Sequence, residues 1–133
     1  VDGISALSIF VGAGCGALLR WALGLAMNPV FPTLPLGTLA ANALGGLLMG
    51  GALGVFAQYE SLPPAVRLAF TTGFLGGLTT FSTYSAESVT LLLRGEYRWA
   101  ALHTVAHVGV SLLATLAGLF AVQALSKAFG GAQ

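Results

Sequence analysis

Charge is what this chain has least of. Only 7% of its 133 residues are Asp, Glu, Lys or Arg, against about a quarter in a soluble domain. The net charge is +1, which excludes a basic footprint for nucleic acid. A single cysteine, Cys15, excludes an intrachain disulfide. It sits in an apolar run and reads as a small packing residue. No Cys and His cluster at metal-ligand spacing is visible. The N-terminus has Asp2 but no basic stretch, so the first apolar run is expected to remain as a membrane span and not to be a signal peptide. Apolar residues are what the chain has in excess: 56% are hydrophobic and mean hydropathy is +0.90. The expected class is an all-α integral membrane protein, with one transmembrane domain over residues 1–133.

The apolar runs predict four spans, at about residues 4–27, 36–58, 66–93 and 101–127. Gly12, Gly14 and Gly16 in the first span superficially resemble a dinucleotide-binding turn. No strand precedes them and no acidic residue follows at the required distance. Gly12 with Gly16, or Ala13 with Ala17, reads better as a close-packing face. Arg20 beside Trp21 fits two readings, an interfacial anchor or a positive group at the mouth of an anion route. Three prolines among residues 28–35 make a turn. In the second span, Asn42, Gly46, Gly50 and Gly54 recur every four residues, so one helix face is nearly bare backbone with a carboxamide at one end. Asn42 is either interhelical glue or a donor for an anion.

The third span is unlike the others. Gly73, Gly76 and Gly77 are followed by Thr79, Thr80, Ser82 and Thr83. Gly loses most backbone entropy in a helix, and hydroxyls compete for its hydrogen bonds. Either the helix breaks here, with freed backbone groups lining a polar site, or it packs tightly with its hydroxyls bonded to the preceding turn. Beyond this point Phe81, Tyr84 and Ser88 share a face. Glu87 lies in the same segment and needs partners or a proton; it reads as a structural or a gate-lining group. The loop expected at residues 94–99 leads to a fourth span with His103, His107, Ser111 and Thr115 on one face, which reads as the wall of a wet path or as helix–helix glue. A frayed tail is expected at residues 130–133.

Four spans put Arg67 and Lys127 on one side and Arg20, Arg94 and Arg98 on the other. That is no orientation bias under the positive-inside rule. A chain that inserts both ways would assemble as an antiparallel, dual-topology homodimer in the lipid bilayer.

At residues 72–87 the sequence reads Thr-Gly-Phe-Leu-Gly-Gly-Leu-Thr-Thr-Phe-Ser-Thr-Tyr-Ser-Ala-Glu. This closely resembles the signature of the small fluoride channels of the Fluc or CrcB family. Residues 35–42, Pro-Leu-Gly-Thr-Leu-Ala-Ala-Asn, resemble that family's second-helix motif. Residues 16–21, Gly-Ala-Leu-Leu-Arg-Trp, resemble its first-helix motif. The resemblance covers essentially the whole chain. It implies an antiparallel homodimer with a broken third helix, two fluoride pores and one central structural sodium ion. Sodium would be held by backbone carbonyls of Gly76 and Thr79. The fluoride pathway would involve Asn42, Phe81, Tyr84, Ser111 and Thr115, with Thr80 and Glu87 nearby, His107 at the pore mouth and Arg20 at the vestibule. Tyr84 departs from the family, which usually has phenylalanine there. The resemblance also implies passive export of cytoplasmic fluoride across the cell (inner) membrane, driven by the inside-negative potential. Such a protein is not an enzyme, because conduction breaks no covalent bond.

A dual-topology, proton-coupled multidrug exporter would be equally short, but it would normally carry a carboxylate in span one. A small subunit that docks a larger complex is a third reading.

Overall fold

The computed structural model describes residues 2–130, and all regular structure among them is helical. Helix α1 spans Gly3–Met27. Its N-cap is Asp2, whose carboxylate accepts from Ser5 N at 2.7 Å and from Ser5 Oγ at 2.8 Å. Those bonds hold the Asp2 carboxyl below the usual carboxylate range. A single 3₁₀ turn, Asn28–Val30, leads toward α2, Leu36–Gln58. Pro35 precedes α2 and has no side-chain oxygen to cap it. Asn28 supplies the cap from the far end of the loop, its Oδ1 accepting from Gly37 N at 2.8 Å and Thr38 N at 3.2 Å.

The next loop is closed by Arg67, which donates to Tyr59 O at 2.8 Å and lies over the Phe56 ring. The following segment is built in pieces: α3 over Pro64–Leu68, a π-helical stretch over Ala69–Leu75, and a last turn, α4, over Gly76–Leu78. Thr79 and Thr80 have extended backbone, with ψ of 154° and 120°. Helix α5 then runs over Phe81–Leu93 and α6 over Tyr97–Gly130.

The turn between α5 and α6 is shorter than the sequence suggests. Gly95 has φ of +73°, a conformation natural to glycine. Gly95 N donates to Leu92 O at 3.0 Å and Glu96 N to Leu91 O at 2.9 Å, the two bonds of a Schellman motif. The chain therefore reverses within residues 94–96, and Tyr97, Arg98 and Trp99, expected in the loop, form the first turn of α6. Gly130, expected in the tail, closes α6. The rest of that tail lies outside the described residues.

Close backbone approach holds the helices together. Gly12 and Gly16 on α1 face Ala69, Phe74 and Leu78 backbone, while Gly77 faces Ala13. Gly46, Gly50 and Gly54 on α2 face Ser111, Thr115, Leu119 and Val122 of α6, and Gly118 of α6 faces Leu47 in return. The partner that the bare face of α2 requires is thus α6. Helix α4 packs on α1, whereas α5 packs on α6, so the two extended threonines mark where the segment changes neighbours. Leu75, Leu78 and Ala41 form the small buried core. Most other large apolar side chains face outward, as they do in a protein that uses lipid as its solvent.

A methyl group added at Gly50 would run into the Thr115 carbonyl and Leu119 N. We expect Gly50→Ala to destabilise the protein by roughly 1–3 kcal/mol, the usual cost of overpacking. Gly14 has open space around it, so Gly14→Ala should be neutral or slightly stabilising. Thermal unfolding in detergent checks both; equal midpoints for the two variants would count against this packing.

Candidate functional site: a groove beside the extended threonines

Of the two extended threonines, Thr80 is held in place by a side chain from α2, Asn42. In a continuous helix Thr80 N would donate to Gly76 O. Instead it donates to Asn42 Oδ1 at 2.7 Å, and Asn42 Nδ2 donates back to Thr80 O at 3.1 Å. The Thr80 hydroxyl caps α5, accepting from Thr83 N at 3.1 Å, which takes away the donor that Thr79 O would otherwise receive. Thr79 closes the preceding turn, its N and Oγ1 both donating to Leu75 O, at 3.0 and 2.9 Å. On the α1 side, Arg20 Nε donates to Gly77 O at 3.0 Å, satisfying a carbonyl near the end of α4.

Beside this junction lies a groove of about 490 Å³. It brings together Asn42 from α2, Gly76, Thr79 and Thr80 from the junction, Phe81 and Tyr84 from α5, and His107, Ser111 and Thr115 from α6. No Lys or Arg lines it. Arg20 lines a separate hollow of about 310 Å³ with Trp21, Thr38 and Thr83, and Thr80 borders both spaces. Glu87 lines neither.

The polar groups of the groove differ in what they have left to offer. Thr115 Oγ1 is spent on Ser111 O at 2.9 Å. The Ser111 hydroxyl makes no hydrogen bond among the described residues. Phe81 is 80% exposed at the groove edge, its ring 5.4 Å from that of Tyr84. The Tyr84 hydroxyl donates to Thr104 Oγ1 at 3.0 Å. That bond anchors the ring on α6 and gives the extra hydroxyl a partner, while the rim of the ring still borders the groove.

Behind Tyr84 lies a buried polar cluster; spacing put His103 with His107 on one helix and Tyr84 with Ser88 on another, but did not show that the two faces meet. Tyr84 stacks on His103 at 5.1 Å between centroids and also meets His107 at 4.9 Å. His103 Nδ1 pairs with Ser88 Oγ at 2.9 Å, and its Nε2 is 3.6 Å from Glu87 Oε2. Glu87, His103 and His107 thus offer potential ligand atoms within 4.8 Å of one another. The group contains no cysteine and depends on packing: α5 brings a carboxyl against the i, i+4 histidine pair of α6. The donor set does not suit a metal, however. Asn42 Nδ2 lies 3.1 Å from His107 Nδ1, so Nδ1 is already accepting and the ring's proton is on Nε2, leaving no lone pair for an ion. The missed contributors are Ser88 and Thr104. The only signal for Ser88 was its place four residues after Tyr84, and Thr104 had none.

Among the described residues three helices, Gly3–Val30, Leu36–Gln58 and Tyr97–Gly130, are long and apolar enough to cross a membrane. With a neutral, donor-lined groove between such helices, the chain is a small all-helical, multi-pass membrane protein. A family profile described as "CrcB-like protein, Camphor Resistance (CrcB)" matches residues 7–119. The chain belongs to the CrcB family. It is 54% identical over 126 residues to a protein of Nitrosospira multiformis named fluoride-specific ion channel FluC, covering 94% of this chain and 98% of that protein. Proteins of the same name from Aromatoleum aromaticum and Ralstonia pickettii are 55% and 51% identical, covering 89% and 95% of this chain and 90% and 100% of theirs.

Proposed function

We propose that the chain is the subunit of a fluoride-selective channel that exports cytoplasmic fluoride passively. The observation that carries the reading is the lining of the groove. Fluoride is small and strongly hydrated, so a pore has to replace its water without trapping it. A row of neutral donors does this better than a fixed buried cation. The Ser111 hydroxyl, the Asn42 amide and the electropositive rims of Phe81 and Tyr84 border one continuous space. The names of the relatives support the same substrate.

In this reading residues 64–93 form a third crossing, interrupted at Thr79 and Thr80. The groove is open along the edge that carries Phe81, and a second, oppositely inserted copy would close it, giving two pores per antiparallel homodimer. Gly76 O and Thr79 O have each lost the donor that a continuous helix would supply. Such carbonyls are hard oxygen ligands, so they fit a sodium ion. The sodium, when bound, would neutralise carbonyl dipoles at the dimer centre and serve a structural role. Arg20 would sit at the vestibule while capping Gly77 O. His107 belongs to the groove wall and Glu87 to the cluster behind it. The location would be the inner cell membrane. A proton-coupled exporter is less well supported, because the one carboxyl inside the spans, Glu87, lies off the groove.

Flux from proteoliposomes loaded with potassium fluoride tests this. A channel releases fluoride rapidly once valinomycin lets potassium follow, needs no proton gradient and retains chloride. No fluoride release but proton-coupled transport of an organic cation would overturn the reading in favour of an exporter, and transport of neither would favour a scaffold.

A further inference from the structure

The Asn42 carboxamide has two N–H bonds, and in the single chain both have partners. One goes to Thr80 O, while Oδ1 accepts from Thr80 N. This pair fixes the amide's orientation, because turning it over would set NH₂ against N–H and oxygen against oxygen. The second N–H points at His107 Nδ1, 3.1 Å away. His107 is 5% exposed, and its ring is held by Tyr84 at 4.9 Å and His103 at 4.5 Å between centroids. Asn42 and His107 both line the groove.

We propose that His107 is a positioning residue that sets how tightly the groove holds its anion, by occupying the one Asn42 N–H that the backbone does not use. The proposal deepens the fluoride reading and rests on it. An anion reaching Asn42 gains that N–H only by displacing the imidazole nitrogen. Its net gain is then the difference between two hydrogen bonds, not the whole of one. Between visits the ring keeps the Asn42 donor paired, so the amide is not a deep anion trap; the proton this leaves on His107 Nε2 is buried and has no partner among the described residues. A pore that must release its ion quickly needs such weak binding.

The first test needs no fluoride. The chain has two histidines, so ¹⁵N-histidine-labelled protein in lipid, with potassium chloride alone, gives two assignable rings. The expected result is a His107 Nδ1 that is unprotonated and hydrogen-bonded, with the proton on Nε2. A proton on Nδ1 overturns the proposal by itself. Potassium fluoride is then titrated in; the Nδ1 signal should move to that of a free nitrogen, while chloride leaves it in place. In binding measurements His107→Leu should raise apparent fluoride affinity by about three- to tenfold, the worth of one neutral hydrogen bond. His107→Gln restores an acceptor and should bring the affinity back toward wild type. Equal affinities in the two folded variants would overturn the proposal; if the leucine variant does not fold, the wild-type spectra still decide. A wild type that takes up no fluoride overturns the channel reading and the role in affinity together, which distinguishes that failure from a protonated Nδ1.

Discussion

Phe81→Ile reduces fluoride efflux from proteoliposomes to the leak of protein-free vesicles, and the protein remains folded. Two features of Phe81 lead to this expectation. Its ring is 80% exposed in the single chain and lies at the groove edge, so the chain's own packing does not depend on it. It also immediately follows Thr80, whose backbone is pinned by Asn42, so its position along the groove is set by the junction. Isoleucine supplies similar bulk but no ring rim with positive edge charge, and that edge is what an anion can use. Efflux and the unfolding midpoint are measured on the same preparation. Normal efflux from the variant would remove Phe81 from the pathway, and a collapsed midpoint would show that its role is in folding.

Asn42→Asp stops conduction at neutral pH. The carboxylate can still accept from Thr80 N, but it cannot donate to Thr80 O or to His107 Nδ1, both of which Asn42 serves. It also places a negative charge in a groove that no Lys or Arg lines. Two like charges about 4 Å apart repel by roughly 4 kcal/mol at an effective dielectric constant of 20. That corresponds to a loss of about a thousandfold in anion occupancy. Undiminished efflux would mean that fluoride does not pass Asn42. Because one of the two bonds to Thr80 survives, the variant should still purify as folded protein, with a lowered midpoint.

Both predictions centre on a junction of which only one half can be read from local sequence. Three glycines followed by hydroxyl residues signal a weak helix, because that weakness belongs to the residues themselves. The two alternatives left open there are not exclusive in the structure. Thr79 does bond back to the preceding turn, and the next residue is nevertheless extended. The tie-breaker is Asn42, 38 positions away. Arg20 shows the same dependence: its guanidinium was ambiguous between anchor and vestibule, and it caps Gly77 from 57 positions away.

Composition and short-range periodicity are enough to establish that this is an apolar, helical membrane protein, that one face of the second helix is bare, and that the third segment is weak. Each of those properties follows from the residue types within a few turns, where transfer free energy and backbone entropy act locally. Packing alone decided which helix fills the bare face, that Thr115 spends its hydroxyl on its own helix, that Tyr84 is tied to Thr104, and that Ser88, Glu87 and two histidines meet behind it. A buried polar group takes whichever partner the folded chain brings within about 3 Å, and no spacing along the chain encodes that distance.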